Sequence, residues 1–285
     1  MTRKSWYHFA LVSVLWGIPY LLMKVAVEDF PPAAVVAGRT LIGASILIPI
    51  AIYRKKFGGA VLGFKYVAFY ALMEMIGPWI LITTAEQKIS SGLAGLLVST
   101  VPIFATIITS LRGDHSVWQF KRIFGIVVGF IGLILVVGIE SLSGNSDPLS
   151  IAMVLVASMG YAYAVIMVTT NLPLVDGIAI NGLAMAITTV FWAPVAIAQW
   201  PSSISMNSAL SLIALGIFST AIAFIIFFKV IAEIGPARSS LVTYMNTAIA
   251  VLLGVIILRE PLTVGIIVGL PLVLVGSYLA SRKTA

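Results

Sequence analysis

Apolar residues run in ten stretches of about 20 along this chain, and most stretches end at a glycine or proline junction. A helix of that length crosses the hydrocarbon core of a bilayer. The pattern predicts helices over Trp6–Val27, Ala33–Tyr53, Phe64–Thr84, Ser90–Leu111 and Gln119–Ile139. It predicts a second five over Leu149–Thr170, Asp176–Gln199, Ala209–Ala232, Ala237–Leu258 and Leu262–Ser281. Pro31-Pro32, Gly58-Gly59, Gly144, Pro201 and Gly235-Pro236 punctuate them. Every connector is short, which leaves no room for a soluble domain. The expected fold is an all-α integral membrane protein with ten transmembrane helices.

Composition agrees. Of 285 residues, 60% are hydrophobic and 9% charged, and the mean hydropathy is +1.12. A soluble domain carries about 25% charged residues. The net charge of +7 invites a nucleic-acid reading, but the basic residues sit one to three at a time between apolar spans. That is the spacing of membrane topology signals, so nucleic acid is not expected as a partner. The chain has no cysteine, which excludes disulfides, thiolate chemistry and cysteine-ligated metals. Arg3-Lys4 ahead of an apolar run has the look of a signal peptide. The run continues to Val27, too long for such a segment, and is read as a retained first span.

Orientation follows from the loops. Of 17 Lys and Arg, Lys24 and Arg39 lie inside spans, Lys88 and Arg259 fall on one side, and the remaining thirteen fall on the other. The basic side is cytoplasmic by the positive-inside rule, which puts both termini there. The chain also repeats itself at an offset near 147: Ala85-Glu86 recurs as Ala232-Glu233, and Ser99-Thr100 as Asn246-Thr247. Gly125 and Gly132 have counterparts in Gly269 and Gly276. Five spans per half is an odd number, so the second half (144–285) enters the membrane inverted relative to the first (1–143). Inverted repeats usually place a substrate site at their interface near the midplane.

Three ionisable residues lie inside spans, where a charge costs roughly 2.5–3.5 kcal/mol and therefore faces a cavity or a partner. Glu74 is at the middle of the third span. It is read either as a partner for a substrate amine or a proton, or structurally as a fixed partner for Arg39 or a hydrogen-bond acceptor that ties helices together. Arg39 is read as pairing with a carboxylate or with helix-end carbonyls, and alternatively as a binder of substrate carboxylate. Lys24 is close enough to a span end to snorkel. Prolines 19, 49, 78, 102, 194 and 271 interrupt spans. Pro78 is one turn from Glu74 and Pro102 three residues after Ser99, which points to hinges beside a cavity. Deep aromatics include Trp16, Trp79, Tyr161, Tyr163 and Tyr244. Tyr161 and Tyr163 are roughly 200° apart on a helix and cannot both face a cavity. Gly125-xxx-Gly129 and Gly265-xxx-Gly269 permit close packing of spans five and ten.

Trp16-Gly17, Lys24, Pro32 and Arg39 resemble the opening of the EamA-type repeat of the drug/metabolite transporter superfamily. Ser91-Gly92-Leu93-Ala94 through Ser99-Thr100-Val101-Pro102 resembles its fourth helix, and Asn246 matches the polar position of that helix in the second repeat. Arg259-Glu260-Pro261-Leu262-Thr263 is similar to its Gly-Glu-Arg-Leu-Thr hairpin but departs at Arg259 and Pro261; the first-half counterpart, Gly113-Asp114, is weaker. Within the superfamily the chain looks most like the bacterial aromatic amino-acid exporters, which implies a place in a bacterial inner membrane.

No HExxH, GxSxG or Walker-type pattern occurs, and His8 and His115 stand spans apart. The resemblance therefore implies a secondary transporter rather than an enzyme, without cofactor or metal. The expected substrates are amino acids with aromatic or other apolar side chains, exported by alternating access around a midplane cavity. Drugs or another metabolite class are the alternative, and a membrane-embedded enzyme or lipid flippase is the more distant one. The residues expected to bind substrate are Trp16, Glu74, Pro78, Trp79, Ser99, Tyr161, Tyr244 and Asn246. Expected partners are the small-molecule substrate and the lipid bilayer, with proton coupling left open and a monomer or weak dimer as the assembly.

Overall fold

A computed structural model describes residues 2–113, 119–142, 147–235, 239 and 241–281. Asp114, His115, Trp118, Ser143, Gly144, Pro236, Arg238, Arg282 and Lys283 lie outside the described residues. Among those described, the chain is all helix: α1 (Arg3–Ala26), α2 (Pro32–Tyr53), α3 (Phe57–Leu62), α4 (Phe64–Ala85), α5 (Ser91–Leu111), α6 (Phe120–Leu142), α7 (Pro148–Asn171), α8 (Gly177–Ala198), α9 (Met206–Ile234), α10 (Val242–Ile256) and α11 (Val264–Ser281). Seven of these, α1, α2, α4, α5, α7, α8 and α9, are long and apolar enough to cross a membrane. The apolar stretches of the other three long helices, Ile123–Leu135, Val242–Ile256 and Val264–Leu279, are shorter.

Helix starts follow local chemistry. Thr2, Ser90, Asp147, Asp176 and Ser205 each accept a main-chain N–H of the first turn they precede. Pro32 opens α2, where its missing N–H costs nothing. The short α3 was not expected, because Phe57–Leu62 is too brief and too glycine-rich to show a helical period. Three spans are irregular inside. Helix α4 carries a π-helical turn at Leu72–Ile76, just ahead of Gly77-Pro78, and α9 carries another at Ile217–Ile222. Helix α5 is interrupted at Ser99-Thr100, whose hydroxyls donate to the carbonyls of Leu96 and Leu97.

Packing is close and selective. Helix α6 lies along α11, where a Cβ on Gly276 would collide with the backbone of Gly129 and fall 2.7 Å from the Gly125 carbonyl oxygen. The Gly125-xxx-Gly129 face thus meets Gly276. Helix α2 packs on α8, α1 on α9 and α10, α7 on α4 and α5, and α5 on α10.

Candidate functional site

A cavity of about 660 Å³ runs through the middle of the bundle. Helices α1, α2, α4, α5, α7, α8, α9 and α10 line it, whereas no described residue of α6 or α11 does. It reaches the surface at the α7–α8 connector, where Leu172, Pro173, Val175 and Gly177 form its mouth. Arg54 and Lys229 line a smaller neighbouring depression together with Gly177, so the mouth lies at the basic end of the molecule.

Arg39 supplies the positive charge. It is 6% exposed, and its Nε and Nη2 donate to Thr220 Oγ1 at 3.3 and 3.1 Å. Its guanidinium carbon sits 3.7 Å from the Trp79 ring centroid. Thr220 is held in turn by donating to the Leu215 carbonyl, five residues back, inside the π turn of α9. Among the described residues no carboxylate lies within 4.0 Å of Arg39; the ion pairs there are His8–Glu233 and Lys88–Asp147. The expected carboxylate partner for Arg39 is therefore not Glu74.

Glu74 supplies the carboxyl group. It sits in the π turn of α4 and lines the cavity, and its buried Oε2 accepts no hydrogen bond from a described residue. The turn itself is braced by Trp192, whose indole donates to the Ile76 carbonyl at 3.1 Å. Such turns cluster at functional sites, since an extra residue re-aims the side chains around it.

The walls are apolar and aromatic. Trp16 packs against Phe224 and Phe227, at 5.5 and 4.5 Å between ring centroids, and all three line the cavity. Trp79, Tyr161, Tyr20 and Tyr70 complete the aromatic surface; Tyr70 donates to Asn181 Oδ1 at 3.1 Å. Tyr163 instead meets Phe69, outside the cavity.

Of the eight residues expected at the site, the cavity gathers Trp16, Glu74, Trp79, Tyr161 and Asn246. The other three lie outside its lining. Pro78 points at α7, 3.1 Å from where a Cβ on Gly160 would be. Ser99 is fully buried against α11: its hydroxyl serves Leu96, and its carbonyl accepts from Ser277 at 2.8 Å. Its neighbours Val98 and Val101 face the cavity instead. Tyr244 packs on Tyr278, while Thr243 and Asn246 of the same helix reach the lining. Tyr20, Asn181, Ser219 and Phe227 were missed; a polar residue at midspan was the available signal for Asn181.

Opposite the mouth, the bundle is tied shut. Lys24 does not snorkel: its ammonium donates to the carbonyls of Glu86 and Ile89. Glu260 accepts from Ser91 N and Oγ, each at 2.8 Å, and from Gly92 N at 3.3 Å, at the start of α5. Gly254 leaves room for that carboxylate, since a Cβ there would collide with it. Hydrogen bonds from the Ser205 side chain and backbone hold the Asp29 carboxyl below its ordinary value.

The EamA-like transporter family model matches residues 4–138 and 148–282. The chain belongs to that family. This EamA-like chain is 27% identical over 277 residues to the uncharacterized transporter YoaV of Bacillus subtilis, covering 94% of this chain and 93% of that one. It is 27% identical over 286 residues to the uncharacterized inner membrane transporter YedA of Escherichia coli K12, covering 96% and 92%. An uncharacterized transporter of Archaeoglobus fulgidus is 26% identical over 291 residues, covering 98% and 99%. A solved crystal structure shares the fold, with a TM-score of 0.66, 17% identity and coverage of 98% and 97%. The protein is a multi-pass membrane transporter.

Proposed function

We propose that this transporter exports zwitterionic, amphipathic metabolites, namely amino acids with aromatic or other apolar side chains, across the bacterial inner membrane. One observation carries the reading. A single aromatic-walled cavity holds a guanidinium with no carboxylate partner and a carboxylate with no donor among the described residues. Arg39 is placed to take a substrate carboxylate in its fork, and Glu74 an ammonium. The apolar wall takes the side chain. Trp16, Trp79, Tyr161 and Asn246 complete this site; Pro78, Ser99 and Tyr244 support it from behind.

The same reading makes residues 1–143 and 144–285 two inverted halves. Exchanging α1, α2, α4, α5 and α6 with α7, α8, α9, α10 and α11 turns each of the main packing pairs above into itself or into another observed pair. The π turns fall on the exchanged helices α4 and α9. Both halves border the cavity, so rocking one against the other alternates its access. With the basic end cytoplasmic, the described state is open inward, ready to load.

Counterflow of radiolabelled tryptophan, leucine and glycine by purified protein in liposomes tests the substrate class. Tryptophan and leucine should exchange well above protein-free vesicles, and glycine weakly. Exchange of cationic drugs with no exchange of any amino acid would transfer the site to a different substrate class.

A further inference from the structure

At the end of the bundle away from the mouth, the side chain of Glu86 is fully buried. Neither of its carboxylate oxygens accepts a hydrogen bond from a described residue. Lys24 is beside it yet spends its ammonium on the main-chain carbonyls of Glu86 and Ile89, the latter at 2.9 Å. In that position it caps the negative end of α4. Three donors satisfy Glu260, the carboxylate that acts on Glu86 from the connector ahead of α11. Of these two acids, Glu260 is fully bonded and Glu86 has no partner among the described residues.

An ionised carboxylate shut away without donors is not sustained, whereas the neutral acid is. The charged groups that act on Glu86 are Lys24 from α1, Glu260 from the connector ahead of α11 and Arg39 from α2; the Tyr20 phenol of α1 also faces it. Tyr20 and Arg39 line the cavity. Glu86 therefore lies between the closed floor of the cavity and the outer surface, on the route that an outward opening has to expose.

We propose that Glu86 is a proton-binding site that latches the outer end of the transporter. With the carboxyl protonated, the end closes and Lys24 holds the helix-end carbonyls. When the end opens, the carboxyl releases its proton to the external water, and Lys24 moves from the carbonyls to the carboxylate. The closed state binds one more proton than the open one, so external acid favours closure. One linked proton shifts the ratio of the two states by at most about tenfold per pH unit. This adds regulation to the transport reading and rests on the orientation given there.

The chain has no native cysteine, which makes the test direct. Ile82 lines the cavity one turn before Glu86, and Gln87 is exposed beside it. Ile82→Cys and Gln87→Cys are labelled from outside by an impermeant thiol reagent between about pH 8 and about pH 5.5, and their ratio cancels thiol ionisation. The ratio should fall as the external pH falls, by up to about tenfold per unit. In Glu86→Gln it should stay low throughout. If that variant does not fold, Glu86→Asp should displace the pH midpoint. A ratio indifferent to pH overturns the proposal. So does parental pH dependence in Glu86→Gln, or an unmoved midpoint in Glu86→Asp. Gln87→Cys labelled only from inside overturns the orientation, and external gating with it. Labelling needs no substrate, so a failure of amino-acid transport in liposomes leaves this outcome untouched.

Discussion

The guanidinium carbon of Arg39 lies 3.7 Å from the centre of the Trp79 ring, so the charge of α2 is spread against an aromatic face of α4. The fork is aimed by Thr220, itself locked in a π turn of α9. Arg39→Lys keeps the charge but loses the plane and the fork. A desolvated cation–π contact is worth about 2 kcal/mol, so the initial rate of amino-acid exchange should fall by about tenfold or more. Equal rates in the variant and the parent protein would mean that only the charge matters.

Glu74 has no hydrogen-bonding partner to lose among the described residues. Glu74→Gln should therefore leave the melting temperature unchanged or slightly raised, because a buried carboxyl gives way to a neutral amide of the same shape. Exchange of amino acids should drop sharply in the same preparation. Lower stability with normal exchange would make Glu74 a structural residue.

Trp16 and Tyr161 form wall, and Tyr244 does not. Alanine at either of the first two should change the tryptophan-to-leucine exchange ratio. Tyr244→Ala should leave that ratio alone and act on stability through its contact with Tyr278. A selectivity change confined to Tyr244→Ala would misplace the cavity.

Arg259 stands in the left-handed region, with φ of 56°, where the similar hairpin motif has glycine. That backbone costs a non-glycine residue about 1–2 kcal/mol, part of which glycine returns to the unfolded chain's entropy. Arg259→Gly should stabilise by about 0.5–1 kcal/mol, read as a higher melting temperature. A lower melting temperature would show that the exposed arginine makes a contact worth more than the strain.

How far the sequence reached depends on the physics behind each feature. Long apolar runs are set by bilayer thickness, so span ends such as Pro32–Tyr53 and Phe64–Ala85 were legible to within a residue or two. Charges inside spans are costly, and so Glu74 and Arg39 were visible as special. The π turn beneath Glu74 was not, because it depends on Trp192 bracing Ile76 from more than a hundred residues away. That turn rotates the helix after it, which carries Pro78 to Gly160 and brings Trp79 to Arg39. Glu86 looked like a loop acid. Its burial comes from α1 and the connector before α11 closing over the end of α4, which no local pattern records.

The central claim is that the cavity reads both charges of a zwitterion. It is tested most directly by competition against radiolabelled tryptophan exchange in liposomes, using unlabelled tryptophan, tryptophanamide and indole-3-propionate at equal concentration. The first has both charges, the second only the ammonium and the third only the carboxylate. Tryptophan should compete, and each singly charged analogue should be weaker by about tenfold or more, since each leaves one buried charged group unpaired. Equal competition by all three would contradict the account and reduce the cavity to an apolar pocket.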